Sequence, residues 1–85
     1  MDYTIAIAKN IQNTDYIEFN KSGNKYYLVF GNEEKTSYYI TDKIQDRQKA
    51  LEIYLKVNEW FILGLYSYHK KIELIKEMIK WNWNW

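Results

Sequence analysis

The side chains able to do chemistry are few and poorly spaced for it. His69 is the sole histidine, set in Tyr68-His69-Lys70-Lys71. No cysteine, second histidine or aspartate stands where it would complete a metal site or a catalytic dyad with it. The pattern reads His69 as a surface or boundary residue. Glu33 and Glu34 are adjacent. Paired carboxylates do acid–base work when they flank a bond from two sides, whereas neighbours in a hairpin turn face solvent or a partner. No phosphate loop, dinucleotide fingerprint or nucleophile elbow is present. No catalytic, cofactor-binding or metal-ligating residue is therefore expected, and the chain reads as a non-enzyme.

The aromatic content points elsewhere. Nine Tyr, four Trp and three Phe stand among 85 residues, with no Cys and no Pro. The last five residues are Trp81-Asn82-Trp83-Asn84-Trp85. Each large aromatic can bury roughly 150–250 Å², so this surface belongs in a core or against another molecule. Twelve basic and eleven acidic residues leave a net charge of +1, the signature of neither a polyanion binder nor an acidic mimic. The absence of Cys suits a reducing compartment. The start lacks a basic, apolar leader, and the longest apolar run, residues 60–66, is far short of the ~20 residues a span needs. A cytoplasmic, membrane-free protein is expected. Abundant Lys, Asn, Ile and Tyr beside one Arg fit the codon usage of a low-GC bacterium or its phages.

The chain reads as one domain, residues 1–85. Residues 3–12 are open between two forms. Tyr3, Ile5 and Ile7 alternate as in a strand, while Tyr3, Ile7 and Ile11 make a helical stripe with Asp2 as N-cap. The helix is the reading adopted. Residues 16–20, 26–30 and 36–41 are strand-like, and the turns at 21–24 and 31–34 imply a three-stranded antiparallel meander. Alternation sends Ile17, Phe19, Tyr26, Leu28, Phe30, Tyr38 and Ile40 to the core face. It sends Tyr16, Glu18, Tyr27, Val29 and Tyr39 to the other face. Asp42 with Gln45 resembles a capping box opening a helix with its core stripe at Ala50, Tyr54, Val57, Phe61, Leu65 and Tyr68, broadened by Leu51, Leu55 and Ile62. Residues 43–81 form either one continuous helix or two, broken at Gly64 and capped again by Ser67. Lys70, Lys71, Lys76 and Lys80 fall on a solvated strip. The expected fold is α+β: a short N-terminal helix, a three-stranded sheet, and two C-terminal helices on one sheet face.

The elements then place the binding candidates. Tyr27, Tyr39, Glu33 and Glu34 sit on or beside the non-core sheet face and are candidate partner contacts. Trp81 and Trp85 continue the Leu74 and Met78 stripe, whereas Trp83 falls out of register with it. The tryptophans either seal the core or meet a partner, for which Trp83 and Trp85 are the candidates. If the chain pairs with itself, the apolar stretch holding Trp60, Phe61 and Leu65 is the expected seam.

The run Ile7-x3-Ile11-x-Asn13-x-Asp15-Tyr16-Ile17-x-Phe19, the Tyr/Leu/Val strand, the Asn-Glu turn and the third strand resemble small phage-encoded anti-CRISPR inhibitors of Cas9 with an α-β-β-β-α-α order. The resemblance covers about half the chain and rests on apolar spacing. It implies a small non-enzymatic blocker of a bacterial defence complex, acting in the host cytoplasm by occluding a surface. Glu18, Glu33 and Glu34 would supply its acidic edge, although the balanced charge departs from the family's acidic pattern. Residues 16–60 also resemble the three-strands-then-helix DNA-binding modules of phage-type integrases. Those put Arg and Lys where this chain has Tyr. The order is similar to double-stranded-RNA-binding domains too, without their basic helix start. The expected function is therefore binding and occluding a protein partner. The alternative is a nucleic-acid-binding module that stacks bases on the tyrosine face.

Overall fold

A computed structural model describes residues 2–34 and 38–80. Four strands run in chain order: β1 (Asp2–Lys9), β2 (Asp15–Ser22), β3 (Lys25–Asn32) and β4 (Tyr38–Ile40). Every neighbouring pair is antiparallel, in the order β1-β2-β3-β4. Two helices follow, α1 (Arg47–Ile62) and α2 (Tyr68–Lys80). The class is α+β as expected, but the sheet has four strands and no N-terminal helix.

The N-terminal segment is a strand because its neighbours are. Tyr, Thr and Ile favour the pleated surface, and β2 offers a full-length partner. The apparent helical stripe breaks at Ile11, which lies 90% exposed at the tip of the β1–β2 loop. An irregularity between Thr4 and Ala6 interrupts the β1–β2 register. It turns Ala6 and Ala8 toward the core, where small side chains leave room for α1.

The β2–β3 hairpin matches expectation. Its two-residue turn places Gly23 at φ 62°, which a two-residue hairpin accommodates most readily with glycine. The face of β4 is inverted from the expected one. Tyr39 faces Phe30 and packs on it at 5.0 Å between ring centroids, while Tyr38 and Ile40 point outward at 61% and 50% exposure. Tyr38, Tyr39 and Ile40 are all apolar strand formers, so alternation had no polar residue to fix its phase. Thr41 fixes it instead. Its N–H donates to the Leu28 carbonyl and its hydroxyl accepts from the Leu28 N–H. Thr36 and Ser37, expected in this strand, lie outside the described residues.

Helix α1 starts four residues later than the sequence suggests. Asp46, not Asp42, is the N-cap, accepting from the N–H groups of Gln48 and Lys49. The span from Thr41 to Gln45 instead extends the sheet edge through a Tyr26–Ile44 bridge. Ala50, Ile53, Tyr54, Val57 and Phe61 make the buried face of α1. They meet Ile17, Phe19, Leu28 and Phe30 from the sheet, and Ile75 and Met78 from α2. Each fully buried Ile, Leu or Phe contributes about 1.5–3 kcal/mol.

Two helices, rather than one, follow from the residues between them. The N–H of Gly64 donates to the Phe61 carbonyl and that of Leu65 to the Trp60 carbonyl, with Gly64 at φ 67°. This is a Schellman termination. Ser67 then caps α2, its hydroxyl accepting from the Lys70 N–H. Lys71, expected in the solvated strip, is fully buried.

Candidate interaction surface

The helices cover one face of the sheet, and among the described residues nothing covers the other. Register sets its side chains in rows. Ile7, Glu18, Val29 and Ile40 stand opposite one another across all four strands. The next row is Lys9, Tyr16, Gly31 and Tyr38. On the other side lies the row of Thr4, Asn20 and Tyr27. Ile7, Tyr38 and Ile40 are large apolar side chains left exposed on this face.

Local contacts hold the tyrosines in place. A Cβ at Gly31 would lie 2.9 Å from the Tyr38 Cβ and 3.1 Å from the Tyr16 hydroxyl oxygen. The missing side chain therefore lets Tyr16 reach across β3 toward Tyr38. Partial burial, then the nearby Glu18 carboxylate, raises the Tyr16 pKa. The Tyr27 hydroxyl donates to the Asp2 carboxylate at 2.8 Å, which raises the tyrosine pKa. Hydrogen bonds from Ser22 and then Tyr27 lower the Asp2 pKa. Lys9 pairs with Glu33 at 3.0 Å at the rim, an exposed contact worth about 0–1 kcal/mol. Ile7, Tyr16, Glu18, Asn32 and Glu33 surround a shallow depression there.

The structure thus brings Tyr27 and Glu33 to one face with Tyr16, Tyr38 and Ile40. Glu34 is exposed beside Glu33. Tyr39 does not join them, being half-buried on the core side beneath the Lys76 ammonium, 4.7 Å from its ring centroid. Trp83 and Trp85 lie outside the described residues. Phe61 is fully buried against Phe30. Trp60 is half-buried with Tyr66 edge-on at 5.4 Å, and Leu65 is exposed with Ile62 and Leu63. Ile7 and Ile40 were missed as members of the open face, since only strand pairing reveals the four-residue row.

A buried polar knot fixes one end of this surface. The Lys71 ammonium donates to Asp15 Oδ2 and to the Tyr66 carbonyl, both at 3.0 Å. Asp15 Oδ1 accepts from Asn32 Nδ2 at 2.6 Å. Asn10 Oδ1 accepts from the N–H groups of Gln12 and Asn13, while its Nδ2 donates to the Ile62 carbonyl. Two non-glycine residues take left-handed backbone here, Thr14 at φ 62° and Tyr66 at φ 64°. Thr14 is held by its N–H to the Asn10 carbonyl, its carbonyl to Glu33 and its hydroxyl to Asn32. The knot ties the β1–β2 loop, the end of β3 and the start of α2 into one unit.

Among the described residues, no three His, Asp or Glu side chains group where they could hold a metal ion. No helix among them is long and apolar enough to cross a membrane. Comparison with protein-family models, curated proteins and solved structures returned no match.

Proposed function

We propose that this is a non-catalytic binding protein that occludes the surface of a larger protein, using the open sheet face as its contact. The observation that carries this reading is the row of Ile7, Glu18, Val29 and Ile40, flanked by Tyr16, Tyr27 and Tyr38 and left without a cover among the described residues. Tyrosine is enriched at interface hot spots, and tyrosines held on a preformed strand platform beside the exposed Ile7 and Ile40 bury large area at low entropic cost. Among the described residues Asp2, Glu18 and Glu33 offset Lys9, Lys25 and Lys43, so this face lacks the basic field that holds a phosphate backbone. The class of partner proposed, a bacterial defence complex in the host cytoplasm, comes from the resemblance to Cas9 inhibitors alone, from whose α-β-β-β-α-α order this fold departs in its first element.

A photo-crosslinking side chain at position 38 should capture one protein in stoichiometric amount from a low-GC bacterial lysate. The same group at Glu52, exposed on α1, should not. With the captured partner purified, Tyr38→Ala should weaken binding by about 2 kcal/mol, near thirtyfold. Equal capture at both positions would remove the sheet face from the mechanism. A gel shift with single-stranded DNA or RNA that weakens steeply with salt would transfer the face to nucleic acid.

A further inference from the structure

We propose that β1 is a self-pairing edge, and that two copies of the chain join by antiparallel β1–β1 contact about a two-fold axis. β1 ends the sheet, and its outward backbone row has no partner among the described residues. At eight residues it is far longer than the three-residue β4 on the opposite edge. Edge strands are usually kept from pairing by shortness, proline, central charges or a bulge. β1 has no proline, and no charged residue between Tyr3 and Ala8. Tyr3, Ile5 and Ile7 stand exposed along it.

The charges lie at the two ends with opposite sign, Asp2 and Lys9. A two-fold axis between Ile5 and Ala6 sets Asp2 of each copy against Lys9 of the other. In a regular strand this register would fail, because residues seven apart point to opposite faces. The irregularity between Thr4 and Ala6 reverses that outcome. Asp2 and Thr4 pair with Ser22 and Asn20, and Ile7 and Lys9 with Glu18 and Tyr16, all on the open face. Asp2, Thr4, Ile7 and Lys9 therefore share one face. The register places Asp2 opposite Lys9, and Thr4 opposite Ile7, with faces matched. The bulge that would protect an ordinary edge makes this one self-complementary, as an isologous contact requires. The dimer carries one eight-stranded sheet, with both open faces on the same side.

The chain lacks cysteine, so engineered thiols report the register cleanly. A Thr4→Cys/Ile7→Cys variant of the full chain should oxidise mostly to a covalent dimer, while Leu63→Cys/Leu65→Cys, on the other exposed apolar patch, should stay monomeric. Sedimentation should show a concentration-dependent dimer whose dissociation constant rises at least tenfold with Ile5→Lys. Asp2→Lys should weaken it, and Asp2→Lys with Lys9→Asp should restore it to within about twofold of the original. Both residues are exposed, but the swap also breaks the Tyr27–Asp2 and Lys9–Glu33 contacts within each copy, so it is read against Tyr27→Phe with Glu33→Gln, which should leave the dimer unchanged; so controlled, it carries the test if Ile5→Lys fails to fold. A strict monomer at high concentration would overturn the proposal. So would a dimer broken by Leu63→Lys but indifferent to Ile5→Lys and to the charge swap.

Discussion

Lys71 has no solvent exposure, and its ammonium has three neighbours: the Asp15 carboxylate, the Tyr66 carbonyl and, 5.4 Å from its centroid, the Phe61 ring. A buried pair of this kind returns little net stability while intact, because desolvation offsets attraction. Breaking it is another matter. Lys71→Met leaves the Asp15 carboxylate buried without its counter-charge, though still accepting from Asn32, at a cost of about 3–5 kcal/mol. That is a large fraction of the ~5–15 kcal/mol typical of a domain. Urea unfolding should show it as a lowered midpoint, with Lys70→Met, one residue away and exposed, within about 0.5 kcal/mol of the parent. Asp15→Asn added to Lys71→Met should recover part of the loss, since no buried charge then remains. An unchanged midpoint for Lys71→Met would mean that the ion pair does not anchor α2. Nothing in the local sequence marks Lys71. Its neighbour Lys70 has the same chemistry, and the difference is made by Asp15, fifty-six residues away.

At the scale of elements, legibility followed how local the deciding interaction was. The β2–β3 hairpin and most of the buried stripe of α1 were readable because their signals lie within a few residues, although that stripe omitted the buried Ile53 and included the exposed Leu65, and the sequence left one helix or two open at Gly64. The form of β1 and the phase of β4 were not, since each depends on a strand that must first pair with it. The same division runs through the candidate surface. Tyr27 reached the open face as expected because the β2–β3 hairpin fixes its phase, and Glu33 lies beside that face in the turn after β3, whereas Tyr38 and Tyr39 exchanged roles when β4 took its register from Thr41. The helix break gives an element-scale prediction. Gly64→Ala forces a Cβ into left-handed backbone and brings it 3.2 Å from Asn10 Nδ2, the amide that holds the Ile62 carbonyl. Gly23→Ala meets the same backbone penalty, about 1–2 kcal/mol, in open space. Chemical denaturation should therefore find Gly64→Ala more destabilising than Gly23→Ala. Equal losses would show that Asn10 gives way freely and that the knot does not lean on the α1 terminus.

Across the whole molecule, the protonation of tyrosine connects core, open face and pH. Burial raises the pKa of Tyr16, Tyr54 and Tyr68 above the ordinary 10.0, and the hydrogen bond to Asp2 is the chief cause of the rise at Tyr27. The folded chain thus keeps protons that the unfolded chain releases as pH passes 10.0. Where the unfolded state binds fewer protons, stability falls as pH rises. This part of the stability is complete below pH 10.0 and drains away above it, through the raised folded values. Urea midpoints should accordingly hold from about pH 8 to 9 and then drop through about pH 11, over and above any contribution from lysine. Tyrosinate absorbance in the native chain should lag behind that of the chain in urea across the same range. Tyr27→Phe removes one of the four shifted groups, and it lies on the open face rather than in the core. It should flatten the alkaline slope while leaving the fold intact, so that partner binding and pH response can be measured on one variant. Coincident native and denatured titrations would show that solvent reaches these hydroxyls freely, and the tyrosine face would then lack the fixed geometry that a preformed contact surface needs.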